Sequence, residues 1–466
     1  MAGENIKRIY PIRGTATPGR AVQLLDTGEI TNLPLRAIGP QYNSQKRLVS
    51  SSSGNTLYYP RALKVDDNRI LYVWNQVSST YYVYASVVTI DANENFVATT
   101  PVLITSGSGA AYAVQHMADM GNGKAALLLS TMLIILQVNA DNTITVGTGV
   151  GISAGQGWGT HSIIAIDSNT VMAAYTGTNG NGIAQLFTVT GVTITAGTPI
   201  THSTSTATSY TALVQLDATR VFISYYDNNA YRFKVFTVNA AARTFTQGAD
   251  FLKSTTGLGR CAATKTATDR VLVVITNSAN SASAFLFKIT GSTVSIVQDT
   301  TTFSTSVTFM HHDLITLAEQ GKAVCAWQNG TNGATMYVTT ISLGLDSFTV
   351  DTPNGTNVGA IESYQWVDLL LMDGANVDNQ RYILIPAGGN AVMGKYGYRT
   401  GKLLGYLENA QGSVVLKGRV KGLSNLEVGR RYGADAQTGQ INTVAGYKLG
   451  VAISDTELLI PDYLID

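Results

Sequence analysis

Charge is what this sequence has least of. Lys, Arg, Asp and Glu make up 13% of its 466 residues, about half the usual share, and they nearly cancel to a formal net charge of +1. Such a chain lacks the clustered basic face that holds a polyanion, so no nucleic-acid partner is expected. The one local excess sets Lys7, Arg8, Arg13, Arg20, Arg36, Lys46 and Arg47 against Glu4, Asp26 and Glu29, and it reads as a solvated arm. Cysteine is nearly absent as well. Cys261 and Cys325 fall at non-equivalent positions, which predicts two buried free thiols and no need for an oxidising compartment. Long apolar runs are missing: the longest, around 132–136, is far shorter than the ~20 residues that cross a bilayer. No membrane insertion is expected. The opening MAGENIKRIYPIRG lacks the apolar stretch of a secretory signal. No stretch of ten or more residues carries a helical apolar period between a start and a stop signal.

What the chain has instead is Gly, Thr, Asn, Val, Ile and Tyr, and a period. A short apolar strand ends in a polar turn, and a stronger apolar strand follows at once. Seven instances stand in order: DDNRILYVWN (66–75), GNGKAALLLS (121–130), DSNTVMAAYT (167–176), DATRVFISYY (217–226), ATDRVLVVIT (267–276), EQGKAVCAWQ (319–328) and VDNQRYILIP (377–386). Arg69, Lys124, Arg220, Arg270 and Lys322 stand just before the apolar strand. Thr170 takes that place in the third copy, and Arg381 fits the seventh with one residue of slack. These anchors are 55, 46, 50, 50, 52 and 59 residues apart. Four short strands with their connections need roughly 45–50 residues, so each repeat is expected to be one four-stranded antiparallel sheet. A third strand follows each of the first six anchors, for instance 183–189 and 232–238. A weaker, Thr-rich fourth strand follows, for instance 192–195 and 244–247. Continuous apolar runs suit strands covered on both faces, and a polar last strand suits an exposed edge. No such unit buries both faces alone, so the units are expected to close a ring. The predicted fold class is all-β: a seven-bladed β-propeller over 51–403.

Both ends fall outside the period. Residues 1–50 carry Pro11, Pro18, Pro34 and Pro40, and the Ser50-Ser-Ser-Ser-Gly54 run follows. They read as an extended attachment arm with a hairpin at 21–25 and 29–32. Residues 404–466 alternate apolar and polar at 414–422 and close with 445–454 and 456–460. They read as a small C-terminal β domain, marginal at that size without a partner or copies of itself.

The elements Gly418-Arg-Val-Lys-Gly-Leu423, Leu426-Glu-Val-Gly429 with Tyr432, Gly439-Gln-Ile441, Gly446-Tyr-Lys-Leu-Gly-Val-Ala-Ile-Ser454 and Thr456-Glu-Leu-Leu459 resemble a small β domain at the C-termini of tailed-bacteriophage virion proteins. The blades, with their Asp-x-x-Arg/Lys-Val turns, are similar to those of phage tail and fibre proteins, and they lack the Ser-x-Asp-x-Gly-x-Thr-Trp box of sialidases. The resemblance implies a virion component without a cofactor: a tail fibre or receptor-binding protein, homo-oligomeric, with a trimer as one such form. It would be made in the host cytoplasm and partnered by other virion proteins and a host surface glycan or protein. Alternatives are a decoration or spacer protein without a ligand, or a propeller glycoside hydrolase acting on surface polysaccharide.

Few residues suggest chemistry. His311-His312-Asp313 sits on an expected innermost strand, where neighbours point to opposite faces, so the two histidines cannot share one ion. His312 is the single candidate metal ligand. His116 and His161 occupy comparable places, so histidines could line the channel together. Glycoside hydrolysis needs paired carboxylates, roughly 5–5.5 or 6.5–9.5 Å apart, and Asp313, Glu362 and Asp368 form the one plausible set; no catalytic residue is assigned. The Gly-rich 147–157 stretch has no following Lys-Ser/Thr and reads as a blade connection rather than a phosphate loop. Most of the 23 tyrosines are expected to fill space between blades. Trp158 and Tyr231, expected in connections, and Tyr58 and Tyr59 are the candidates for stacking on a ligand.

Overall fold

The anchor residues open strands. In the computed structural model Arg69, Lys124, Thr170, Arg220, Arg270 and Lys322 are each the first residue of the second strand of an antiparallel sheet. The structure describes most of 56–398 together with 46–48. It describes the strands at 6–9, 21–24, 30–32, 37–42, 403–407, 413–421, 431–434, 441–442, 447–452 and 457–460 as backbone only. Within 56–398 it leaves out 78–79, 92–94, 108–109, 156–160, 206–207, 228–229, 254–256, 278–280, 300–308, 318–320, 330–334, 352, 354, 361–366, 373–378 and 387–389.

The first sheet runs Thr56–Asp66, Arg69–Val77, Tyr81–Ile90, and then two short strands side by side on the third, Phe96–Ala98 and Val102–Gly107. Five more sheets follow the same plan, opened by Val114–Asp119, Ser162–Asp167, Ser209–Gln215, Gly257–Ala267 and Phe309–Leu317. The chain is therefore an all-β propeller. The divided outer edge refines the sequence reading: where one Thr-rich strand is expected, among the described residues two fragments share the third strand in five of these six sheets, and Thr293–Asp299 stands alone in the other. Ala110–Tyr112 forms a single helical turn.

Seven self-contained four-strand blades were expected, and six sheets of this plan are formed. Among the described residues the seventh repeat supplies three strands, Val367–Leu371, Asn379–Pro386 and Asn390–Tyr398. The outer edge of that sheet comes from the N-terminal region, as Ala37–Tyr42 and Lys46–Arg47. The N- and C-terminal segments, read as separate bodies in sequence, also join. Ile6–Ile9 pairs with Ser413–Lys421, and Ala21–Leu24 pairs with both Ile30–Asn32 and Leu403–Leu407, within one nine-stranded sheet.

The second strands are apolar because both of their faces are covered. Residues 271–275 are fully buried, and neighbouring sheets share a core at each junction. Between the fourth and fifth sheets that core is aromatic: Phe222, Phe233, Phe285 and Phe287 are buried there, with the Phe233 and Phe287 rings 4.5 Å apart. Between the composite sheet and the first it holds Met372, Ile383, Ile385 and Met393 against Ile70, Tyr72 and Trp74.

The Asp-x-x-Arg signature is a turn and a clamp. Asp217 Oδ1 accepts from the Thr219 and Arg220 amides, both at 2.9 Å, and Oδ2 accepts from Arg220 Nε at 2.7 Å. The far end of the guanidinium crosses to the outer turn of the next sheet: Arg220 Nη1 to Gly291 O, 3.1 Å, and Arg69 Nη1 to Asn142 Oδ1, 2.7 Å. Arg270 Nε likewise donates to Asp346 Oδ1 at 2.7 Å. These clamps are partly exposed and secondary to the apolar junctions. Replacing Phe287 with alanine is expected to cost about 3–5 kcal/mol and Arg69→Ala about 1 kcal/mol, measured by urea unfolding; equal losses would contradict this ordering.

Candidate functional site

The innermost strands bring one residue each to a common level of the central channel: Arg61, His116, Ser162, Ala212, Ala262, Asp313 and Asp368. Their spacings are 55, 46, 50, 50, 51 and 55 residues, nearly those of the anchors. Most of the polar members reach to the adjacent strand. Asp313 Oδ2 accepts the Leu369 amide at 2.8 Å, and its Oδ1 accepts the Leu314 amide at 2.8 Å. Asp368 Oδ2 accepts the Ala62 amide at 2.6 Å, with Oδ1 3.5 Å from Arg61 Nη1. Arg61 Nε donates to Gln115 O at 2.9 Å. His116 Nδ1 lies 3.0 Å from Ile163 O, and Ser162 Oγ accepts the Leu213 amide at 3.3 Å. Side chains thus stitch neighbouring inner strands where no ladder of backbone hydrogen bonds can.

The enclosed space is small and polar, about 110 Å3, against roughly 300–1,000 Å3 for small-molecule sites. Burial governs its charges. It pushes Asp368 up to about 7; Arg61 opposes the shift and Asp313 adds to it. Burial raises Asp313 as well, against the Leu369 amide, Arg61 and the Leu314 amide. Burial, then Arg61, lowers His116 to about 4, against the pull of the Ile163 carbonyl, so the imidazole is neutral near pH 7. His161 is buried with Nε2 3.1 Å from Ser130 O. Cys261 borders the channel, donates to Tyr210 O at 2.9 Å, and is held protonated by burial.

Of the carboxylates expected together, Asp313 and Asp368 do meet across adjacent innermost strands, while Glu362 lies outside the described residues. The His312 side chain also lies outside them, and among the described residues no group of three or more His, Cys, Asp or Glu forms a metal site. Arg61 and Ser162 were not singled out in sequence; their recurrence at the repeat spacing is the signal that finds them. Val150–Gly151 of the Gly-rich stretch pairs as a strand on Met132–Val138, as befits an outer edge.

The stacking candidates fare differently. Tyr231 is not in a connection but in the strand Ala230–Asn239. It is fully buried, its hydroxyl donating to Thr276 O at 2.7 Å and its ring 5.0 Å from that of Tyr226, so it presents no face to a ligand. Tyr59 is buried at a φ of 50°, its ring 6.1 Å from that of half-buried Tyr58, both within the innermost strand Thr56–Asp66. Both pack on the core between the first two sheets. Trp158 lies outside the described residues.

No family model matches the chain, and none of the curated proteins matches it. Among solved structures it is similar to a lectin from Burkholderia pseudomallei at 10% identity and TM-score 0.52, over 74% of this chain and 96% of that one. It is also similar to a protein from Lactobacillus plantarum at 13% identity and TM-score 0.46, over 75% and 96%. The likeness to the lectin is one of fold.

The channel makes a pH prediction. An acid whose folded value of about 7 exceeds the ~3.9 of the unfolded chain contributes stability that is full below about 4 and is lost as pH rises through about 7. Asp368→Asn removes that loss. The stability of the variant relative to the parent is therefore expected to rise between pH 4.5 and 7.5, whatever the constant offset from weakening the Arg61 pair. His116, with a folded value lowered to about 4, has the opposite slope but is common to both proteins. Parallel urea-unfolding curves across that range would contradict the assignment.

Proposed function

We propose that this chain is a non-enzymatic structural component of a phage virion, a tail fibre or receptor-binding protein. Its propeller meets the host cell surface, and the sheet formed by its two ends attaches to the particle. We also propose that the composite sheet closed by Ala37–Tyr42 acts as the seventh blade. The virion assignment rests on the resemblance of residues 418–459 to phage virion domains. The observation that carries the non-catalytic assignment is the use made of Asp313 and Asp368. In an enzyme of this class two carboxyls face the scissile bond. Here each gives one oxygen to a backbone amide of the adjoining strand, while the other oxygen of Asp313 accepts its own neighbour's amide and that of Asp368 faces Arg61, and the space they border is smaller than a ligand pocket. Both acids are accounted for as fasteners of the ring.

A carboxyl raised to about 7 is also what a general acid needs, and one experiment separates the two uses. The purified chain is incubated with intact cells of a bacterial panel, and bound protein and released reducing sugar are measured in the same wells. Saturable binding to particular strains without sugar release is expected. Sugar release abolished by Asp313→Asn or Asp368→Asn would overturn the reading in favour of a hydrolase. Absence of binding would leave a decoration or spacer protein. Copies of a weak site on one particle would add avidity beyond any single contact.

A further inference from the structure

The outer turns seat differently from junction to junction. Where the third and fourth strands of a sheet turn on the outside, the third and fifth sheets use two-residue turns that start with glycine, Gly191 at φ 60° and Gly291 at φ 62°. Such turns require a positive φ that glycine adopts without cost. These turns seat on the preceding sheet. A Cβ built on Gly147 would lie 2.3 Å from Val192 O, and one built on Gly248 would lie 2.5 Å from Ser292 O. At those two junctions the next turn closes the gap.

Between the third and fourth sheets it does not. The equivalent glycine, Gly197, lies near nothing of the next turn closer than the Arg243 Cβ, 3.8 Å from its own would-be Cβ. The turn there is longer, with Ala240 to Arg243 between the paired Asn239 and Thr244. Its left-handed position is taken by Arg243 at φ 55°, a conformation arginine rarely adopts. The clamp is missing too. Arg69 and Arg220 reach across to the turns of the sheets that follow them, but the third sheet has buried Thr170 at that position. The result is an open cavity of about 500 Å3 lined by Gly197, Thr198, Ile200, Arg243, Thr244 and Phe245, within the size range of ligand sites.

We propose that this groove binds a carboxylate-bearing saccharide, of the hexuronate or sialate type, such as those in acidic surface polysaccharides. Arg243 is exposed, and no acidic residue is among the described residues that line the groove and could compete for its guanidinium. A guanidinium offers a carboxylate two parallel hydrogen bonds. Thr198 and Thr244 supply hydroxyls for sugar hydroxyls. Phe245, half-buried and edge-on to Phe236 at 5.2 Å, supplies an apolar surface for a pyranose. A shallow groove with one cation, hydroxyls and one ring fits a sugar acid better than a peptide side chain that needs an apolar pocket. The placement of such sugars on a host cell rests on the surface-binding reading above.

The test is titration of the full chain with acidic oligosaccharides containing glucuronate or sialate and with the same oligosaccharides after carboxyl reduction, using the parent, Arg243→Gly and Arg243→Lys. Arg243→Gly removes the guanidinium and relieves the left-handed strain, so its melting temperature is expected to equal or exceed the parent's. The parent is expected to bind the acidic forms at least tenfold more tightly than the reduced ones. Arg243→Gly should lose that ratio, and Arg243→Lys should retain part of it. Equal affinity for acidic and reduced sugars, no binding of either, or an unchanged ratio in Arg243→Gly would overturn the proposal. Cell binding that survives Arg243→Gly would overturn the groove while leaving the surface-binding reading intact. Arg243-dependent sugar binding without cell binding would do the reverse.

Discussion

Everything in this fold follows from strands that need cover on both faces. A sheet whose second and third strands are apolar on each side cannot end in water, and it cannot be satisfied by one partner. The sheets must therefore stand side by side around an axis, and the last must meet the first. The junction of Met372, Ile383 and Met393 with Ile70, Tyr72 and Trp74 is where this chain meets that demand. It does so with a sheet whose outer strand comes from the other end of the sequence. The same economy unites Ile6–Ile9 with Ser413–Lys421, so that both ends of the chain share one sheet.

The channel is the second consequence. At the axis the inner strands splay apart, and their outward amides and carbonyls would be buried without partners at substantial cost. Asp313, Asp368, Arg61, His116 and Ser162 answer that need. The acids are desolvated in doing so, and Asp368 moves up to about 7 for a structural reason. A perturbed acid in a cleft often marks catalysis; here burial is the largest cause of the perturbation, with Asp313 adding to it and Arg61 opposing it.

What was legible in sequence was what repeats. Asp66-x-x-Arg69 and Asp217-x-x-Arg220 are local turns with local hydrogen bonds, and a short-range signal recurring through the chain survives the noise of any one copy. The hairpin at Ala21–Leu24 and Ile30–Asn32 was legible for the same reason. The pairing of residues 37–42 with 394–398 was not, because strands joined across most of the chain carry no mark of their partner. Asp313 and Asp368 could be seen as a pair; that one oxygen of each takes an amide of the next sheet depends on the register of neighbouring sheets. Tyr231 was misplaced by a strand that begins earlier than its polar neighbours suggest. Thr170 stood out as the one anchor without a charge, but the open groove behind it needed the length of the Ala240–Arg243 turn and the geometry of Gly197.

The central claim is that the composite sheet is closed by the N-terminal strand, and hydrogen exchange on the intact chain tests it most directly. If Ala37–Tyr42 covers the edge, amides in the middle of Asn390–Tyr398 should exchange as slowly, to within about tenfold, as those of the equivalent third strands Gly182–Thr190 and Ala230–Asn239. Exchange at the rate of an uncovered edge strand, orders of magnitude faster than in those two strands, would contradict it.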